Sequence, residues 1–138
     1  MILVAYSAKK KHHSVLVAGK KERNFLYLAS IISYIISASL FWYLGSHIMF
    51  LISIAYIAVA SSVAIVNLFW KVSAHTTGTA GPITALVYVY GMILLPMYLI
   101  VLPVAYLRYK DKAHTTAQLV AGAFIAIIVT FLIFAIFY

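Results

Sequence analysis

Long apolar runs and short polar breaks alternate along this chain. Phe25 to Leu44, Ile48 to Trp70 and Thr115 to Phe137 contain no charged residue, and each reaches the roughly 20 residues that a helix needs to cross the hydrocarbon slab of a bilayer. They predict three full spans. A fourth apolar region, Pro82 to Leu107, admits two readings. As one tilted helix it would be about 39 Å long, a comfortable crossing. As a hairpin, its halves Pro82 to Leu95 and Met97 to Leu107 reach only about 21 and 16 Å. The first arm then has to begin nearer Thr76, and the second has to run on toward Lys110 with its basic side chains snorkelling. The turn would fall near Gly91 to Pro96, because Pro96 lacks an amide hydrogen and disfavours helix at the residue before it.

Charge selects between these readings. Ten Lys and Arg stand against two acidic residues, Glu22 and Asp111, for a formal net charge of +8. Lys9, Lys10, Lys11, Lys20, Lys21 and Arg23 precede the first span, Lys71 follows the second, and Arg108, Lys110 and Lys112 precede the last. Lys and Arg concentrate in cytoplasmic loops close to span ends. A single crossing helix would put Lys71 and Arg108 in opposite compartments, whereas a hairpin places all ten on one side. The expected fold is therefore all-α, a polytopic membrane bundle of about five helices: three full spans plus a short-helix hairpin. Its amino terminus is expected in the cytoplasm and its carboxyl terminus outside.

Composition excludes a soluble alternative. With 66% hydrophobic residues, 9% charged ones and a mean hydropathy of +1.09, the chain has more apolar surface than a soluble core of 138 residues could hide. One membrane domain over residues 25–138, preceded by a basic juxtamembrane arm over 1–24, is the economical division. No signal peptide is expected, because the short apolar start Met1 to Tyr6 precedes the basic run instead of following it. Cysteine is absent, which removes disulfides and thiolate metal sites from consideration. The arm's cations should favour anionic lipid surfaces, and membrane lipids are the expected partners, with no nucleic acid among them.

Two polar clusters carry the candidate chemistry. Val72-Ser73-Ala74-His75 follows the second span, while Arg108, five residues, His114, three residues and Gln118 lead into the last. The hairpin would bring both to one face. Together they resemble the phosphate pocket of the type 2 phosphatidic acid phosphatase superfamily, which carries Pro-Ser-Gly-His in one loop. Its other loop has Ser-Arg, five residues, His, three residues, Asp. The spacing is kept and four residue types differ. The stretch Trp70-Lys71-Val72-Ser73-Ala74-His75-Thr76-Thr77-Gly78, with Gln at 118, is similar to small archaeal members of that superfamily. The resemblance covers about residues 20 to 130.

It implies a lipid phosphatase that works without a metal or other cofactor. His114 would attack phosphorus and carry a transient phosphohistidine, and His75 would protonate the leaving alcohol. Arg108 would grip phosphate oxygens through its planar fork. Ser73 and amides near Thr76 to Gly81, Gly78 among them, would donate hydrogen bonds at a helix start. Gln118 stands where the family has an acidic residue that holds the imidazole in its reactive tautomer; an amide orients the ring without stabilising the imidazolium. The family's Lys, six residues, Arg-Pro motif is missing in its usual form, which leaves Arg23 with its basic neighbours, and Lys71, to replace it. The substrate class would be a polyprenyl or isoprenoid phosphate or diphosphate, or a phosphatidic-acid-like lipid. Its chain would lie in an apolar groove between the hairpin and the last helix, shaped by Phe124, Phe131 and Phe134.

The residues also allow plainer accounts. Lys71, Arg108, Lys110 and Lys112 serve equally well as span-end anchors, His47 and His12-His13 as interface and solvated residues, and Asn67 as a hydrogen-bonded bridge between helices. Two other function classes therefore stay open beside the phosphatase. One is a non-catalytic membrane subunit or lipid-phosphate binder with a degenerate pocket. The other is a histidine-ligated haem or metal protein, which would need His47 to meet His75 or His114 across the bilayer. A homo-oligomer or a place in a membrane complex is open as well.

Overall fold

The computed structural model describes residues 19–138; Lys9 to Lys11, His12-His13 and most of the basic arm lie outside the described residues. All regular structure in the described residues is helical. Helix α1 spans Lys20–Tyr43, α2 His47–Phe69 and α3 Ala74–Tyr90; a 3-10 segment, Met92–Ile100, runs on into α4, Val101–Lys110, and α5 spans Thr116–Phe137. Among the described residues, four stretches are long and apolar enough to cross a membrane: Glu22–Tyr43, His47–Phe69, Met92–Lys110 and Thr116–Phe137. Three coincide with the expected spans to within a few residues. The first starts earlier than Phe25 because the Gly19 amide donates to Glu22 Oε2 at 3.3 Å and the Arg23 amide to Gly19 O at 3.0 Å, which seeds the helix in the basic stretch.

The helix ends explain the connections. After α1, Gly45 takes φ +69°, with Gly45 N donating to Trp42 O (3.1 Å) and Ser46 N to Phe41 O (3.0 Å). That paired reverse bonding is the Schellman motif, in which glycine occupies the left-handed position at least cost. The same motif closes α4 with a lysine in that position: Lys112 has φ 55°, Lys112 N donates to Tyr109 O (2.9 Å) and Ala113 N to Arg108 O (3.2 Å).

The fourth apolar region folds back on itself. Gly91, with φ +94°, ends α3 and opens the 3-10 segment. The Thr84 and Tyr98 hydroxyls then meet at 2.7 Å across the hairpin. The break sits at Gly91 because only glycine takes that backbone angle without strain. Pro96 lies inside the 3-10 segment rather than at the turn. Its missing amide and its clash with the carbonyl four residues back oppose α geometry there, which accounts for tighter winding.

Small and hydroxyl residues hold the centre. Ala80, Ala126, Val59, Val63 and Val72 form one buried cluster, and Leu51, Ala55, Ala85 and Phe134 another nearer the opposite end. Helix α3 lies against α5 along Thr76, Thr77 and Gly81 on one side and Gly122, Ala126 and Thr130 on the other. In a membrane, where lipid tails are as apolar as leucine, close small-residue packing and interhelical hydrogen bonds supply the association energy. The Met92–Lys110 arm has no buried residue, and among the described helices α1 packs on α2 alone. An open seam is left between α1 and α3.

Candidate anion site at one end of the bundle

Chain direction brings the starts of α1, α3 and α5 and the ends of α2 and α4 to the same end. Buried Asn67, near the end of α2, organises the first loop: its Nδ2 donates to Tyr27 OH and to Val63 O (3.0 Å each), and its Oδ1 accepts from the Val72 amide (3.1 Å). Ser73 follows as the N-cap of α3, fully buried, its Oγ accepting from Thr76 N at 3.4 Å. The two loops are then tied directly. Ser73 N donates to Gln118 O (3.3 Å), Thr76 Oγ1 to Leu119 O (2.9 Å) and Thr77 Oγ1 to Gly122 O (3.1 Å). Lys71 Nζ donates to Ala113 O at 2.7 Å, the carbonyl just before His114.

This bonding gathers Lys71, His75, Arg108 and His114. Burial, and then the charge of Arg23, push the Lys71 ammonium below its ordinary pKa. The His114 imidazole is pushed down to about 4, first by burial and next by the cationic Lys71, with His75 and Arg108 adding to it and Gln118 working the other way. His114 is therefore a neutral ring at pH 7, the form that can act as a nucleophile. Its Nδ1 is buried without a hydrogen-bond partner. Cations crowded around a neutral imidazole favour whatever brings negative charge to them.

Two expected phosphate donors take other positions. Gly78 sits inside α3, one turn past Ala74, so its amide belongs to the helix ladder; a helix leaves only its first amides free, here those of Ala74 and His75, since Ser73 caps Thr76 N. Ser73 itself works from beneath, as a cap and a loop tie. Gln118 lies beside His114, but its Oε1 accepts from Thr115 N at 3.1 Å while Thr115 Oγ1 accepts from Gln118 N at 3.4 Å. This capping box starts α5. Arg23 lies on the first turn of α1, where its charge reaches Lys71.

The three phenylalanines expected to shape an apolar groove take different places. Phe134 is fully buried with its ring tilted against Tyr88, Phe131 meets Tyr88 edge-on while half exposed, and Phe124 is exposed. Tyr88 gathers Phe131, Phe134 and Tyr138 into one aromatic cluster. An open volume of about 480 Å³ lies in the seam between α1 and α3 with α2 as its floor.

Sequence reasoning gave Asn67 only a helix-bridging role and missed its hold on Val72. The signal was present, since an amide four residues before Lys71 can reach the chain leaving its own helix. His47 opens α2 at the far end, about 30 Å from the loops by helix rise, which separates it from His75 and His114. Comparison with protein-family models, with curated proteins and with solved structures gives no match in any of the three.

Proposed function

We propose that this chain is a lipid phosphatase of the type 2 phosphatidic acid phosphatase kind, acting without a metal on a lipid phosphate through a phosphohistidine. The observation that supports it most is the Lys71 bond to Ala113 O, which joins the two motif loops around a neutral His114. In the first step His114 Nε2 forms a bond to phosphorus as the phosphorus–oxygen bond to the lipid breaks; His75, whose pKa is lowered in the free protein by burial and then by Arg108, takes up a proton as the phosphate anion binds beside it and gives that proton to the departing oxygen. In the second, His75 takes a proton from water as that water attacks the phosphohistidine, releasing phosphate and restoring His114. Arg108 and Lys71 hold the phosphoryl oxygens while charge shifts between them. The free Ala74 and His75 amides at the start of α3 add donors. The basic residues at this end favour the cytoplasmic side for it.

Trapping tests the order of events. In His75→Ala, attack on a diphosphate with a good leaving group continues while breakdown of the intermediate slows, so phosphoryl label accumulates on the protein in alkali-stable form at His114. Label on another residue, or none alongside normal turnover, overturns the assignment. A second reading, a binder without turnover, is favoured by one feature: Gln118 gives its oxygen to Thr115 and brings no carboxylate to the imidazole. The two readings separate on phosphate release.

The pH dependence follows from His114. Its folded pKa, about 4, lies below the ~6.5 of a free imidazole, so the folded protein binds fewer protons than the unfolded chain between those values. Acidification through that window disfavours the fold, and the acid limb of kcat/KM falls near pH 4. Gln118→Glu keeps the capping box and sets a carboxylate beside the ring, which favours the imidazolium. We expect the acid limb to move to higher pH and the rate at pH 7 to rise. An unmoved limb, read from kcat/KM against pH, contradicts this.

A further inference from the structure

Resting on the lipid-phosphate reading, we propose that Asn67 and Tyr27 are positioning residues that carry Arg23 of α1 to the anion site, where its guanidinium joins Lys71 and Arg108 on the phosphate. Asn67 is buried, only 3% exposed, and uses both ends of its amide. Its Oδ1 accepts from the Val72 amide (3.1 Å), which fixes the chain between Lys71 and Ser73. Its Nδ2 donates to Val63 O (3.0 Å) in its own helix and to the Tyr27 hydroxyl (3.0 Å) on α1. One side chain therefore ties the loop that bears Lys71 and His75 to the first helix. That helix rests on α2 alone among the described helices, through the Tyr27 bond at this end and the stacked rings of Tyr34 and Tyr56, 5.0 Å apart, two turns further on.

Helix geometry then places the arginine. Arg23, Tyr27, Ser30 and Tyr34 follow at intervals of four, three and four, which sets them on one face of α1. Tyr27, Ser30 and Tyr34 line the seam toward α3, so Arg23, one turn before Tyr27, stands at the loop end of that face. Its burial agrees: Arg23 is part-buried, whereas Phe25, Leu26 and Leu28 on the other faces are exposed. Burial first, and then the Arg23 charge, hold the Lys71 ammonium below its ordinary pKa, so the guanidinium and the ammonium are neighbours. Two cations held side by side repel, and an anion shared between them turns that cost into affinity. The planar fork of arginine takes two phosphoryl oxygens at once, which a lysine does not. The Tyr27 bond sets the register of α1 on α2 at this end, and a slip along the pair would draw Arg23 away from Lys71.

A double-mutant cycle on binding tests this without requiring turnover. Affinity for farnesyl phosphonate, which resists hydrolysis, would be measured by equilibrium dialysis of the full chain in phosphatidylcholine nanodiscs, with empty nanodiscs as the blank. Arg23→Gln should weaken binding about tenfold. Tyr27→Phe removes one hydroxyl and leaves Asn67 its bonds to Val63 and Val72. It should weaken binding about fivefold in the wild-type background and less than about twofold in the Arg23→Gln background. Tyr27→Met serves in the same cycle if Tyr27→Phe does not fold. The loss of additivity separates positioning from a merely structural role, since damage to the Val72 loop would weaken binding equally in both backgrounds. Unchanged affinity in Arg23→Gln, or an equal effect of the Tyr27 variant in the two backgrounds, overturns the proposal, and binding by the wild type then leaves the lipid-phosphate reading standing. No binding of farnesyl phosphonate by the wild type defeats both.

Discussion

His114→Ala reduces phosphate release from lipid phosphates to background, a loss of at least about 10⁴-fold, while lipid-phosphonate binding stays within about tenfold of wild type. The expectation follows from what the ring supplies. His114 provides the only bond to phosphorus in the proposed first step, and a neutral imidazole is available at pH 7 because burial and Lys71 hold its pKa near 4. Binding depends instead on Arg108, Lys71 and the first amides of α3, none of which needs the imidazole for its position: Lys71 is held by the Ala113 carbonyl. Release and binding should therefore separate in this variant. A mutant that keeps a tenth of its rate, measured by phosphate release under substrate saturation, would show that water is activated by another group.

Gly122→Ala is expected to be the most damaging single-methyl change in the bundle. A Cβ there would lie 2.6 Å from Ser73 O, 2.6 Å from Thr76 Oγ1 and 2.9 Å from Thr77 Oγ1. The first of these is backbone and cannot rotate away, so α5 has to move off α3. That movement breaks the Thr76 bond to Leu119 O and the Thr77 bond to Gly122 O, and it pulls Gln118 O from the Ser73 amide. Overpacking and lost buried bonds together should cost at least about 2 kcal/mol, seen as a lowered midpoint of thermal unfolding in detergent, with anion affinity falling too because the same bonds join the two loops. Gly78→Ala is the contrast: with open space around its Cβ, and alanine the better helix former by about 0.5–1 kcal/mol, it should be neutral or stabilising. Equal effects at the two glycines would refute this account of the α3–α5 contact.

The spans were legible because a bilayer demands a length that few other structures use, and three uninterrupted runs meet it. The hairpin was legible only through charge. Lys71 and Arg108 had to share a side, and the structure brings their loops together at Ala113. Its turn was less so: Pro96 is the louder signal in the sequence, yet the chain reverses at Gly91, where a positive φ is needed. The spacing of Arg108, His114 and Gln118 told which residues would meet. It did not tell that Gln118 would cap α5, because an amide at the third helical position has two competing neighbours, the Thr115 amide and the imidazole, and sequence does not rank them. Phe124, Phe131 and Phe134 were assigned to a groove by their apolarity alone. Tyr88 meets two of them edge-on or tilted, and such aromatic contacts join residues far apart in sequence, where periodicity carries no information.

The most direct test of the central claim is phosphate release from isoprenoid phosphate and diphosphate by purified wild-type protein in excess chelator. Release that persists at full rate under chelation is the predicted result. Release that stops with chelation and returns with added metal would contradict the metal-free histidine mechanism, and no release from any lipid phosphate offered would leave these loops as a binding site alone.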